Sequence, residues 1–209
     1  MLANAPHGPE RHRVCVWHAD PDVLADAAAV LAHSNFDIVA SGRNGYDLID
    51  WVCSNPVDLI VTGERLEGID GIEALLNIAD CKPVPSLMIL RGEALNAIAP
   101  VVSDHVMSFL TEPLRAAELV PNAILILRRF FELQSLRDNL TAARSSLADA
   151  KVCYLAKCSL MREHDISESE AHQRLQRMAT NGRIRLAAAA KQVLDGVAAE
   201  KRLSVDHAR

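Results

Sequence analysis

Val57-Asp58-Leu59-Ile60-Val61-Thr62-Gly63-Glu64-Arg65-Leu66-Glu67-Gly68-Ile69-Asp70-Gly71-Ile72-Glu73-Ala74-Leu75 reads as a strand, a tight turn and a helix. The run from Val57 to Thr62 is rich in β-branched and aliphatic residues and stops at Gly63, the composition of a buried strand. Gly68 and Gly71 punctuate the turn, and from Gly71 to Ile78 the apolar residues take helical spacing. The same alternation runs through the first half of the chain. Further strands are expected at Arg13 to Trp17, Phe36 to Val39, Ser86 to Leu90 and Val106 to Leu110. Helices are expected at Asp22 to His33, Gly45 to Cys53 and Glu93 to Ala99, and a last one begins near Leu114 or Arg115. Strands alternating with helices make an α/β fold, here a doubly wound parallel five-stranded sheet with helices on both faces. Such sheets carry their chemistry at the carboxyl ends of the strands.

Beyond Pro121 the pattern changes. Sixty consecutive residues, up to Gly182, contain neither Gly nor Pro. Within them Leu133, Leu136, Leu140, Ala143, Leu147, Ala150 and Tyr154 repeat with 3,4 spacing, the seam of a coiled coil. A lone helix cannot bury such a seam, so a parallel homodimer is expected, with residues 126–154 as a dimerising rod. Asp165-Ile166-Ser167 breaks the helix, and Ser167-Glu168-Ser169-Glu170 is a capping box that starts the next. Asn181-Gly182 ends that second helix. A third carries Leu186, Ala190, Val193 and Val197 on one face, so three short helices are expected to pack around Leu160, Met161, Leu175, Met178 and Val193.

Charge is unevenly spread. Residues 1–121 carry 7 basic and 17 acidic side chains, and residues 150–209 carry 11 and 7. The C-terminal end therefore suits a polyanion. No apolar run is long enough to span a membrane, and the first residues lack the pattern of a secretory leader, so a cytoplasmic protein is expected. Five cysteines, Cys15, Cys53, Cys81, Cys153 and Cys158, stand apart from one another and from any metal-ligand spacing. They read as buried, reduced small hydrophobes, with no metal, cofactor or redox couple.

Residues 12–125 resemble the receiver domain of bacterial response regulators. The likeness rests on Val57 to Gly63, on Glu64 to Leu75 and on Phe109-Leu110-Thr111-Glu112-Pro113-Leu114. The resemblance places the family's phosphate-accepting aspartate at Gly63, so no phosphoacceptor is expected. A one-residue slip would bring Glu64 there, but the Asp58–Gly63 and Gly68–Gly71 anchors agree on the register. The family's acidic pair falls on His18 and Ala19, with Asp20 alone kept; its Thr or Ser falls on Leu90 or Arg91, and its Lys on Glu112. Phosphoryl transfer to a carboxylate needs the carboxylate, oxygen ligands for Mg²⁺ and a cation, and all three are missing. His18 reads as a packed loop histidine, and the Glu112-Pro113 bond as a candidate cis peptide.

The string from Val152 to Arg177, with Ala156-Lys157, Leu160-Met161, the Ser167 to Ala171 cap and Leu175-Gln176-Arg177, is similar to the ANTAR family of RNA-binding antitermination regulators. It departs from the family at Cys158, His172 and Gln176. That resemblance covers residues 136–197 and overlaps the rod. The layout as a whole is similar to the antiterminators of amidase operons. It implies a non-enzymatic dimer that binds leader hairpins of a nascent transcript and is held in check by a ligand-sensing negative-regulator protein. RNA contacts are expected at Lys157, Arg162, Arg174, Arg177, Arg183 and Arg185, with Lys157 the first choice because it lies in the most specific part of the motif. The alternative is a DNA-binding response regulator with a degenerate receiver; the third helix, Ala-rich with Lys191 alone at its middle, is a poor recognition helix.

Overall fold

The computed structural model describes residues 11–91 and 107–206, the side chains through residue 196. The chain forms two compact units, residues 1–134 and 135–209.

The first unit is the expected sheet. Strands β1 (His12–Trp17), β2 (Phe36–Gly42), β3 (Leu59–Gly63), β4 (Ser86–Leu90) and β5 (Met107–Thr111) pair in parallel in the order β2-β1-β3-β4-β5. That is the doubly wound order whose crossovers leave a crevice at the carboxyl ends of β1 and β3. β3 and β4 are buried along their whole length, as sheet covered on both faces requires. Helices α1 (Pro21–Ala32), α2 (Gly45–Ser54) and α3 (Gly71–Cys81) begin at Asp20, Asn44 and Asp70, each of which caps its helix by accepting a backbone N–H two residues on. The expected helix Glu93 to Ala99 lies outside the described residues.

Two apolar layers sandwich the sheet. On one face Val14, Val16, Leu59, Val61, Leu87 and Ile89 meet Ala27 and Leu31 of α1, and Leu119, Ala123, Ile126 and Leu127 of the long helix α4 (Ala116–His164). On the other, Cys15, Trp17, Ile60, Met88 and Leu90 meet Leu48 and Val52 of α2 and Ala74, Leu75 and Ile78 of α3. Helix α4 runs through Pro121, which falls in its second turn and forfeits one backbone hydrogen bond.

Cysteine chemistry departs from expectation. Cys53 and Cys81 form a disulfide between the last turns of α2 and α3, and both residues are exposed rather than buried. Sequence spacing gave no hint, because helix packing and not local spacing brings these ends together. Cys15 is fully buried, and burial pushes its thiol up to about 12. Cys158 is exposed.

In the second unit the last part of α4, α5 (Glu168–Gly182) and α6 (Leu186–Asp206) pack around Ala156, Leu160, Ala171, Leu175 and Ala190, with Met161, Leu186 and Val193 partly buried against them. Small side chains at the centre let the helices approach closely. Asp165 turns the chain at φ 50° after α4. Ser167 and Glu170 form both halves of the capping box. The left-handed residue that ends α5 is Arg183, φ 51°, not its neighbour Gly182. No helix among the described residues is long and apolar enough to cross a membrane.

Candidate functional site: a closed sheet edge and a candidate nucleic-acid interface

At the carboxyl edge of the sheet the central strands β1, β3 and β4 end at Trp17, Gly63 and Leu90, and the chain leaves each strand into a loop. Glu64 N–H donates to Ile89 O (3.0 Å) and Glu112 N–H to Leu90 O (2.8 Å), which sets the two acids on either side of the end of β4. There His18, 4% exposed, fills the space over Gly63. A Cβ at position 63 would lie 2.4 Å from His18 Cδ2, so the imidazole stands where an acceptor side chain would need to be. Gly71 is fixed by a second close approach: a Cβ there would meet Gly63 O at 2.1 Å.

The ring is held at both nitrogens. Nδ1 lies 3.1 Å from Asp20 N and 3.2 Å from Asp20 O, so the Asp20 backbone holds that side of the ring. Nε2 lies 3.4 Å from Glu112 Oε1, while Arg91 Nε lies 3.5 Å from Glu112 Oε2. Arg91 N–H also donates to Glu64 Oε2 (3.4 Å). Glu112, at the position of a lysine in the resembled family, is thus met by the imidazole on one side and a guanidinium on the other, and its bond to Pro113 is cis. The cavity left between His18, Glu64, Arg91 and Glu112 measures 20 Å³, room for about one water.

The fold family implies Mg²⁺ at this edge, and the residues do not fit it. Asp20, the one acid kept, uses its carboxylate to cap α1 through Asp22 N–H (2.9 Å). Its neighbours are an imidazole and a methyl group, and position 63 offers no oxygen beyond the backbone. Among the described residues no three His, Cys, Asp or Glu side chains are grouped to hold a metal ion.

In the helical unit the cations are arranged differently. Arg162, Arg174, Arg177, Arg183 and Arg185 are all exposed, and among the described residues none of them meets a carboxylate. Arg174 and Arg177 stand three apart on α5 and share a face. Lys157 is the exception. Its ammonium pairs with Glu168 at the first turn of α5, and its side chain is only 20% exposed. That hydrogen bond and charge raise Lys157 above its ordinary value and hold Glu168 below its own. Sequence spacing could not show this pair, since only the turn at residues 165–167 brings α5 back along α4.

The seam residues are exposed on the single chain: Leu136, Leu140, Leu147 and Tyr154 are between half and three-quarters accessible, and Leu133, Ala143 and Ala150 are exposed as well. Each belongs to α4, whose opposite flank supplies Ala156 and Leu160 to the helical core.

Fold and edge define a regulatory protein in two parts, a receiver-type sheet with His18 packed over Gly63 at its edge and a cationic helical unit. The response regulator receiver domain model matches residues 14–123, and the chain belongs to that family. The ANTAR domain model matches residues 141–194, so the helical unit is an ANTAR domain. Over 189 residues the chain is 23% identical to the transcriptional regulatory protein PdtaR of Mycobacterium tuberculosis, covering 90% of this chain and 92% of that protein. It is 24% identical over 112 residues to the two-component response regulator-like PRR37 of rice, covering 51% of this chain and 15% of that protein. Among solved structures it is similar to a response regulator receiver protein from Sinorhizobium medicae (TM-score 0.51, 22% identity, 58% of this chain and 98% of that one). It is also similar to the signal receiver domain of an HD domain-containing protein from Pseudomonas fluorescens (TM-score 0.56, 18% identity, 64% and 98%). At these identities the likeness is one of fold.

Proposed function

We propose that this chain is an RNA-binding transcription antiterminator, active as a coiled-coil dimer and controlled by a partner sensor protein instead of by aspartyl phosphate. The observation that carries the reading is the ANTAR match over residues 141–194, where five arginines are exposed and, among the described residues, without carboxylate partners. Guanidinium groups in that state fit phosphate oxygens by paired hydrogen bonds and stack on unpaired loop bases, the two features hairpin RNA offers. Arg162, Arg174, Arg177, Arg183 and Arg185 are assigned this role. Lys157 is assigned a positioning role through Glu168, with its charge available to RNA only when that pair opens.

The packing of His18 over Gly63 supports the second half. A sheet edge with Gly63 under His18 offers no carboxylate at that position to take a phosphoryl group, and a ligand-sensing negative regulator acting on residues 12–125 is the partner the layout suits. Residues 126–154 pair two chains through Leu133, Leu136, Leu140, Ala143, Leu147, Ala150 and Tyr154, and residues 136–197 form the RNA-binding head. Because hairpins paired in a leader match two heads on one dimer, binding gains from both being engaged at once.

Gel-shift titration with a tandem-hairpin leader RNA and, in parallel, a duplex DNA of equal length tests this. Tight, salt-weakened binding to the RNA with no preference for the duplex is expected. Preference for the duplex would replace this reading with that of a DNA-binding regulator.

A further inference from the structure

The Cys53–Cys81 pair belongs to no function described above. The two residues lie 28 apart in sequence with Cα atoms 6.3 Å apart, and they face each other from the final turns of neighbouring helices. Both are exposed, so small thiols and disulfides reach them without unfolding the chain. The same helix ends are also joined without sulfur. Lys82, next to Cys81, donates from Nζ to Asn55 O at 3.0 Å, two residues beyond Cys53. Beneath them Val52 and Ile78 pack in one apolar layer with Leu48, Ala74 and Leu75. Opening the bond therefore leaves two thiols still held near one another, the condition for closing it again. Cys15 provides the contrast within the same unit: it is fully buried, and its raised thiol stays protonated and inert.

We propose that Cys53 and Cys81 form a reversible thiol–disulfide site, through which the sheet unit registers small-molecule disulfides. One protein thiolate attacks a disulfide RSSR, forming a mixed disulfide and releasing RS⁻. The second protein thiolate then attacks the protein sulfur of that mixed disulfide, forms the Cys53–Cys81 bond and expels the second RS⁻. Two electrons pass from the protein to RSSR, and the two protein protons end on two RSH. Oxidation bolts α2 to α3 and reduction frees them. The site thus gives the sheet unit a covalent input beside the control by a protein partner. It rests on none of the RNA-binding residues, so its failure would leave the reading above intact.

The full-length protein equilibrated in buffers of graded reduced-to-oxidised glutathione ratio, quenched with an alkylating agent and mapped by peptide mass, provides the test. The Cys53–Cys81 cross-link is expected to rise and fall reversibly with the ratio, while Cys15 remains a free thiol throughout. Cys81→Ser should instead trap a mixed disulfide of glutathione on Cys53. The oxidised protein should melt roughly 5–10 °C above the reduced one, and the Cys53→Ala/Cys81→Ala double variant should melt with the reduced form in every buffer. A pair that stays reduced in oxidised glutathione would overturn the proposal. So would a bond that, once formed, resists a large excess of reduced glutathione, or a redox-dependent melting shift that survives in the double variant.

Discussion

The sheet edge and the helical unit both hold charged side chains where their families do chemistry, but they dispose of the charge in opposite ways. At the edge, Glu112 is met by His18 and Arg91, and Glu64 accepts from the backbone of Arg91. In the helical unit five arginines stand exposed with no carboxylate among the described residues, and only Lys157 is tied internally. Charge balanced within the chain stabilises and closes a site. Charge left unbalanced on a folded surface awaits a partner, and the one that suits a cluster of guanidinium groups is a polyanion.

The largest effect is expected from breaking what holds two heads together. Leu140→Lys places two ammonium groups in the centre of the seam, and the protein should run as a monomer in size-exclusion chromatography with light scattering. Affinity for a tandem hairpin should fall by about 100-fold or more as the second contact is lost, with affinity for a single hairpin far less affected. Next, Arg174→Ala/Arg177→Ala should weaken RNA binding about 10- to 100-fold at fixed salt and make the salt dependence shallower by about 2 in log–log slope. Lys157→Ala, whose charge is already engaged by Glu168, should change that slope less than either arginine.

On the other side of the comparison, Gly63→Asp restores the missing carboxylate to a space already filled by His18. It should lower the stability of the sheet unit by about 1–3 kcal/mol in urea unfolding, with His18→Ala/Gly63→Asp recovering much of the loss. The smallest effect is on pH dependence. Burial pushes Asp58 up, but hydrogen bonds from Arg13 N–H (2.8 Å) and its guanidinium, together with the guanidinium's charge, outweigh that and hold the carboxyl below its ordinary value. A lowered carboxyl contributes stability above its unfolded value near pH 4 and loses it as pH falls through the folded value. The partly exposed pair should account for less than about 1 kcal/mol, and Asp58→Asn should remove that part of the acid limb. The Lys157–Glu168 pair adds a limb at each end. Glu168 is lowered, so its contribution goes in acid; Lys157 is raised, so its contribution is lost only as pH climbs past the ordinary lysine range.

How far each region could be read from its sequence follows the same divide. Element order, the doubly wound sheet and the capping box at Ser167 rest on local signals, and they were legible to within one to three residues at most ends. What fills the space over Gly63 was not legible, because a histidine after a strand is compatible with a solvated loop, and only the meeting of β1, β3 and the β5 loop turns His18 onto Glu112. Spacing was silent on Cys53–Cys81 because the contact is made by packing of α2 on α3. A signal did exist: both cysteines fall at the ends of helices on the same side of the sheet. Arg183 was read as a contact alone, since Gly182 looks the natural left-handed residue; the structure gives that conformation to the arginine.

The most direct test is one titration, binding of the full-length protein to a tandem-hairpin RNA as salt is varied, with and without acetyl phosphate. Affinity is predicted to fall steeply with salt, with a log–log slope of about −4 or steeper if five arginines per head meet phosphates, and to follow the same curve whether or not acetyl phosphate is present. A flat salt dependence, or a curve displaced by acetyl phosphate, would contradict the proposed function.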